Sequence, residues 1–242
     1  MTGGASQGGT PAGTQKTDLH TRLGEILGAD RWVDGLHPAV RPANVAEVST
    51  LLGSYPGRVL VVGSGSNFPS DYTPPNEALT VLTSSLREIN ELDVADQVLR
   101  ISAGWDVVDV NAQLASQGYA ALALTRFQRG TIGGRLAATS SLNRSASADG
   151  WVHSLLGLTV VLPGGELLTL GGRCIKDVAG YDMRHLFTGS RGAVGIIVEA
   201  LFRCIPSDLI PSTSETAIPS PGSYDPVWRR LFDPRERMQP GA

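Results

Sequence analysis

The stretch Val59-Leu60-Val61-Val62-Gly63-Ser64-Gly65-Ser66-Asn67-Phe68-Pro69 limits the possible fold more than any other part of the chain. Its four leading apolar residues, three of them β-branched, predict a buried strand. The strand empties into alternating glycine and serine, whose backbone N–H groups and hydroxyls could cradle a phosphate. A dinucleotide fingerprint or a P-loop would place a helix straight after the glycines, with its N-terminus facing the phosphate. Pro69, Pro74 and Pro75 prevent a sustained helix here. The third glycine of G-x-G-x-x-G is missing, and no Gly-Lys-Ser/Thr occurs anywhere. The loop reads as a backbone nest and not as a helix-dipole site. An ordinary turn would explain Gly63–Asn67 about as well.

A second glycine cluster, Gly130-Thr131-Ile132-Gly133-Gly134, shifts the balance toward the nest. Two glycine-rich loops, each after an extended segment, could converge on one diphosphate, because backbone amides bind several anionic oxygens without a bulky cation. The segment Thr125 to Gly134 reads as a loop leading into the small, polar Leu136 to Ser141.

Around these loops the pattern alternates between helix and strand. Leu19 to Leu27 predicts a short helix, and His37-Pro38 to Pro42 an extended segment. Asn44 is a good N-cap with Glu47 three residues on, and Val45, Val48, Leu51 and Leu52 form one apolar face. A second pair of strands is expected at Leu79–Leu82 and Val98–Ser102. Trp105-Asp106 opens a helix that Gly118 closes. Leu155–Leu162 and Glu166–Leu170 flank Pro163-Gly164-Gly165 as a hairpin. Val178 to Phe187 reads as a short helix closed by Gly189, and Gly195 to Ile205 as a final strand stopped by Pro206. Ser207 to Ser223, rich in Ser, Pro and Thr, reads as a linker, and Trp228 to Phe232 as an amphipathic piece in the C-terminal strip.

Composition removes several function classes. At 242 residues the chain can bury a sizeable core. A net charge of −3 leaves no electrostatic footprint for nucleic acid. No apolar run approaches the roughly 20 residues of a membrane span. The Gly/Ser/Thr-rich start, Met1 to Lys16, reads as a disordered tail and not as a signal peptide. Cys174 and Cys204 are too few for a disulfide scaffold, so a cytoplasmic location with reduced thiols is expected. His20, His37, His153 and His185 are scattered without an i, i+4 pair, and no metal site is expected. The serines of Gly63–Asn67 stand at the wrong offsets for a nucleophile elbow. Arg144 could face a phosphate or a carboxylate, although a lone loop arginine is more often a solvated charge. Lys176-Asp177-Val178-Ala179-Gly180-Tyr181-Asp182 gathers charge, glycine and an aromatic ring, and an N-cap turn explains it slightly better than a site.

Taken in order, these pieces resemble the FAD-binding domain of the vanillyl-alcohol oxidase superfamily, the fold also called the PCMH type. Within it the chain is most similar to the E subunit of bacterial glycolate oxidase. The resemblance is carried by Arg41-Pro42-Ala43-Asn44-Val45-Ala46-Glu47-Val48, the Val62–Asn67 loop, Ala103-Gly104, Thr131–Gly134 and Leu155–Gly165. Its most specific parts are Lys176–Asp182 and Gly192-Ala193-Val194-Gly195-Ile196-Ile197-Val198-Glu199. The tail Phe232-Asp233-Pro234 … Gln239-Pro240-Gly241 resembles the family's Asp-Pro … Asn-Pro-Gly signature.

The resemblance implies that Val62, Gly63, Ser64, Gly65, Ser66 and Asn67, with Thr131, Ile132, Gly133 and Gly134, hold the FAD pyrophosphate. It also implies that Gly195, Ile196 and Ile197 contact the flavin nucleotide through their backbone. Family members with covalent flavin carry a His where Ser66 stands, so a noncovalent FAD is expected. Gly65 and Gly134 are expected to need glycine because backbone approaches phosphate there. Two departures from the family stand out. The segment Asp149-Gly150-Trp151-Val152-His153 departs from the family, which more often has Gly near Asp149 and Arg-Asp near Val152-His153. Ser207 to Ser223 also stands where the family inserts a cap of about a hundred residues or more, and such a stretch is too short to bury a core of its own.

The expected fold is therefore α+β: a disordered tail over 1–17, a two-lobed PCMH-type domain over 18–206 with lobes at about 18–102 and 103–206, a linker over 207–223 in place of the cap, and a segment over 224–242 that packs back. The implied function is a noncovalent FAD oxidoreductase subunit for a small 2-hydroxy acid. Its partners would be a cap-bearing FAD oxidase subunit and an iron–sulfur subunit. A non-catalytic FAD-binding or scaffold subunit is the alternative. A UDP-N-acetylenolpyruvoylglucosamine reductase, which shares the Gly-Ser-Asn loop, ranks third because its extra domain is also missing. No residue is assigned a catalytic role.

Overall fold

Local rules place the helices where the caps predict them. A computed structural model of the chain describes residues 21–33, 37–68, 72–75, 78–139, 154–173, 182–210 and 232–239. Residues 21–27 form helix α1. In α2, Val45–Ser54, the Asn44 side chain accepts from the Glu47 amide at 2.9 Å, and the Glu47 carboxylate accepts from the Ala43 amide at 2.8 Å. Helix α3, Val107–Ser116, is capped by Asp106, which accepts from the Val108 amide at 2.9 Å. Both caps satisfy amides that a helix start leaves without a partner.

The strands sort into two five-stranded sheets. The first holds β1 (Trp32–Val33), β2 (Ala39–Val40), β3 (Arg58–Val62), β4 (Ala78–Leu82) and β12 (Met238–Gln239) in the order β1-β2-β4-β3-β12. Strands β2, β3, β4 and β12 run parallel, and β1 is antiparallel at the edge. The second sheet is wholly antiparallel, in the order β5-β6-β10-β8-β9, from Asn90–Asp93, Val98–Ser102, Ile196–Arg203, Leu155–Val161 and Leu167–Gly171. Strands β8 and β9 are the expected hairpin. The strands expected at Leu79–Leu82 and Val98–Ser102 both form, as β4 and β6, but in different sheets. Strand β6 pairs with β5 and β10, so the change from first sheet to second falls between Leu82 and Asn90 and not at Ser102. The physical reason is burial: Leu99 and Ile101 join the core of the second half, which β4 does not touch.

Each sheet covers its own core. Val48, Leu51 and Leu52 of α2 pack with Val59, Leu79 and Val81 of the first sheet. Beyond the second sheet, α3, α4 (Leu122–Thr125) and α5 (Ile132–Ala138) enclose a core that includes Leu99, Val110, Leu124, Ile132, Phe187 and Phe202. Strand β10 serves both cores: Ile196 and Val198 belong to the first, Ile197 and Ala200 to the second. An irregularity in the β10–β8 register between Ile197 and Glu199 makes this possible, because an extra residue reverses the alternation of faces.

Other expectations shift in detail. Thr125 ends α4, and Thr131–Gly134 is the start of α5, so only the residues between these helices are loop. The final strand ends at Arg203, and Ile205–Pro206 (β11) pairs instead with Tyr119–Ala120 (β7). Of Val178 to Phe187, Arg184–Phe187 is helical, and Val178–Tyr181 lies outside the described residues. The tail 1–17, Arg144, Asp149–His153, Cys174, most of Lys176–Asp182 and residues 211–231 also lie outside them. No described helix is long and apolar enough to cross a membrane.

Candidate functional site

Strands β3 and β4 run side by side, and the loops leaving their C-terminal ends border a groove that is open to solvent. Ligands of parallel sheets bind beyond such strand ends, where successive loops diverge. Gly63–Phe68 follows β3 and Thr83 follows β4, while α5 and the turn before β10 supply the remaining wall. The groove thus draws on elements of both halves.

Two features of the Gly63–Asn67 loop suit a nest, its amides without a described partner and the dihedral of Gly65. The Phe68 amide closes it onto the Gly65 carbonyl at 3.0 Å, and the amides of residues 63–67 donate to no described residue. Gly65 has φ +76°, and an added Cβ there would meet nothing closer than Val62 Cγ1 at 4.0 Å. Glycine is needed at Gly65 for its dihedral and not for space within the chain.

Thr131–Gly134 contributes in another way. Thr131 caps α5, its Oγ1 accepting from the Gly134 amide at 3.3 Å. The Ile132 and Gly133 amides donate to the Trp105 and Ala103 carbonyls, both at 2.9 Å. With these amides occupied, the stretch offers the groove a wall free of side chains and not a second nest. The close approach falls at Gly63: a Cβ there would stand 2.2 Å from Thr131 Oγ1, whereas one at Gly134 would stand 3.0 Å from the same atom.

Of the residues that the resemblance assigns to FAD, all but Val62 and Ile132 line this one groove. Val62 ends β3, and Ile132 is buried in the second core.

Two arginines escaped the sequence reading. Arg135 Nη2 donates to Ser66 Oγ at 2.8 Å and to Asn67 Oδ1, while Asn67 Nδ2 donates to the Gly134 carbonyl at 3.1 Å. The guanidinium lies 5.8 Å from the centre of the Phe127 ring, and its Nε is buried without a partner. Burial, with Arg129 nearby, pulls the Arg135 pKa below its ordinary value, and Asp106 opposes this. The group stays charged, since arginine does not deprotonate in proteins. It fastens the nest to α5 across 68 positions of sequence, a separation at which no local pattern could show it. The second is Arg191, which lines the groove itself.

These features fit the FAD that the resemblance implies. Amides of the 63–67 loop that donate to no described residue suit a diphosphate, no acidic residue is among the described groove lining, and Val61, Phe68, Ile196 and Ile197 provide apolar contact for rings.

Comparison with known proteins points the same way. Residues 38–171 match a family described as FAD binding domain. Glycolate oxidase subunit GlcD of Bacillus subtilis (strain 168) is 29% identical over 74% of this chain and 38% of its own length. D-lactate dehydrogenase of Archaeoglobus fulgidus is 27% identical over 77% of this chain and 42% of its own. D-2-hydroxyglutarate dehydrogenase of Xanthomonas citri pv. viticola is 30% identical over 72% and 38%. The chain therefore spans well under half the length of each of these relatives. An alkyldihydroxyacetonephosphate synthase structure superposes with a TM-score of 0.62 at 21% identity, covering 78% of this chain and 40% of that one, and so shares the fold. With more than half of its residues in the family match, and a groove at the strand ends whose nest suits the family's cofactor, the chain belongs to the FAD-binding domain family in its PCMH-type fold.

Proposed function

We propose that this chain is a cytoplasmic oxidoreductase subunit that holds FAD noncovalently and takes part in oxidising a small 2-hydroxy acid. It would act beside a cap-bearing FAD oxidase subunit and an iron–sulfur subunit. The observation that carries the reading is the groove: a glycine loop beyond β3 whose amides donate to no described residue, held by Arg135 against the glycine-rich start of α5. Ser66, standing where covalent members of the family carry a His, supports a noncovalent cofactor. Bound FAD would supply the two-electron chemistry. The chain's own residues bind the diphosphate, fix the loop and give the nucleotide an apolar wall.

A second reading, a non-catalytic FAD-binding or scaffold subunit, is favoured by one observation. Residues 232–239 already return to the first sheet, so only 207–231 lie between β11 and this strip, too short a stretch for a separate cap with a core. Substrate groups that a cap would carry must then come from elsewhere.

One experiment tests both. Acid precipitation of the FAD-loaded protein should release yellow flavin to the supernatant, and dithionite should bleach the intact holoprotein. Glycolate or D-lactate should bleach it slowly unless a cap-bearing partner is added. Colour held in the pellet would overturn the noncovalent reading, and absence of flavin at any loading the whole proposal. Fast turnover by a pure monomer would remove the need for a partner.

The role of Arg135 can be measured separately. Arg135→Ala should weaken FAD binding about tenfold, or ~1.4 kcal/mol. Arg135→Lys should recover part of the loss, because both bonds leave the single atom Nη2 and an ammonium can donate to two acceptors, though from a shorter stem. A flavin-fluorescence titration reads this directly, and native affinity in both variants would show that the nest holds its shape unaided.

A further inference from the structure

We propose that Arg191 is an anion-binding residue of the groove, its guanidinium pairing with a phosphate of the nucleoside diphosphate half of the cofactor. The inference rests on the FAD reading above and adds to it a side chain where that reading invokes only backbone.

Arg191 is the only charged residue among those described as lining the groove, and among the described residues no carboxylate pairs with it. Its half-exposed guanidinium, in a groove whose described lining holds no carboxylate, is placed to meet an incoming anion. The guanidinium fork matches two oxygens of a phosphate.

The backbone at this position argues that the side chain has a purpose. Arg191 has φ +53°, a left-handed conformation that a long L side chain rarely adopts and that glycine adopts freely. Gly192 follows at φ +79°. A turn of this shape would therefore form more easily with glycine at both positions. The turn is also held firmly. The Arg191 amide donates to the Ala137 carbonyl at 2.8 Å, and Ser190 Oγ accepts from the Gly192 amide at 3.3 Å while donating to the Phe187 carbonyl at 2.8 Å. This ties Arg191 to α5, whose first turn meets the nest through Asn67 and Gly134.

The test compares the wild-type chain with Arg191→Gly, Arg191→Glu and Arg191→Lys, titrated with FAD, with ADP and with riboflavin, which carries no phosphate. Thermal melting of each ligand-free protein is the second readout. Arg191→Gly relieves the backbone, so its melting temperature should match or exceed the wild type's. Its affinity for FAD and ADP should nonetheless fall at least tenfold, with a flatter salt dependence, while riboflavin binding is unchanged. Arg191→Glu should bind FAD and ADP more weakly still, and Arg191→Lys should recover part of the loss. Native FAD and ADP affinity in Arg191→Gly, or an equal loss toward riboflavin, would overturn the proposal. A wild-type chain that binds ADP through Arg191 but not FAD would leave the inference standing and remove the flavin reading. Binding of neither would remove both.

Discussion

Gly63→Val is expected to abolish FAD retention, lowering affinity by on the order of 100-fold or more, about 2.7 kcal/mol. Thr131 is 2% exposed and its Oγ1 would stand 2.2 Å from the new Cβ, so neither partner has room to yield. Displacing Thr131 also removes the cap on the Gly134 amide, which costs about 1 kcal/mol on its own. Overpacking adds about 1–3 kcal/mol to the loss of fold stability. The loop would be pushed off α5, and its amides would no longer converge on one point. Gly172→Ala serves as the control, because a Cβ there meets nothing within 4 Å. Fluorescence titration and flavin loss on gel filtration measure the difference. Gly63→Val with an affinity within about threefold of wild type would mean that the diphosphate does not use this loop.

Arg237→Ala should give the largest loss of fold stability, about 3–5 kcal/mol. Arg237 is 8% exposed and its guanidinium donates to the carbonyls of Pro163 and Leu52, both at 3.0 Å, of Gly57 at 3.3 Å, and of Tyr55. Burial lowers its pKa and Asp233 opposes the shift, so the charge persists. Truncation would leave those buried carbonyls without a donor. The same strip adds β12 beside β3, with the Arg237 carbonyl accepting from the Val59 amide at 2.7 Å and Asp233 Oδ2 accepting from the Met238 amide at 2.7 Å. Arg237→Lys should rescue only in part, since one ammonium cannot reach all four oxygens. The urea midpoint gives the energy, and hydrogen exchange at Val59 shows whether the strip has come away. A change below about 1 kcal/mol would show that water replaces the guanidinium without difficulty.

Several features of the site were legible because they depend on near neighbours. The four-residue apolar run before Gly63 reads as a strand, and the prolines after it exclude a helix. Asn44 and Asp106 read as caps because a cap bonds only two or three residues along. The glycine clusters were visible as clusters, yet their different roles were not. Thr131–Gly134 reads as loop until Thr131 is seen capping α5, and the tight contact lies at Gly63 and not at Gly65 or Gly134. Arg135 and Arg191 carried no signal, since a single arginine looks like a solvated charge until its partners are known.

Periodicity, caps and turn residues alone were enough to specify helices α2 and α3 and the β8–β9 hairpin, because each is held by bonds between residues close in the chain. Tertiary structure decided which strands share a sheet, why the C-terminal strip is buried, and which side chains brace the nest. Those outcomes turn on contacts such as Ile101 with Ala200, Arg237 with Leu52 and Arg135 with Asn67, made between residues far apart in sequence. Such pairs form where both partners lose water at the same place, and that condition leaves no local pattern in either segment.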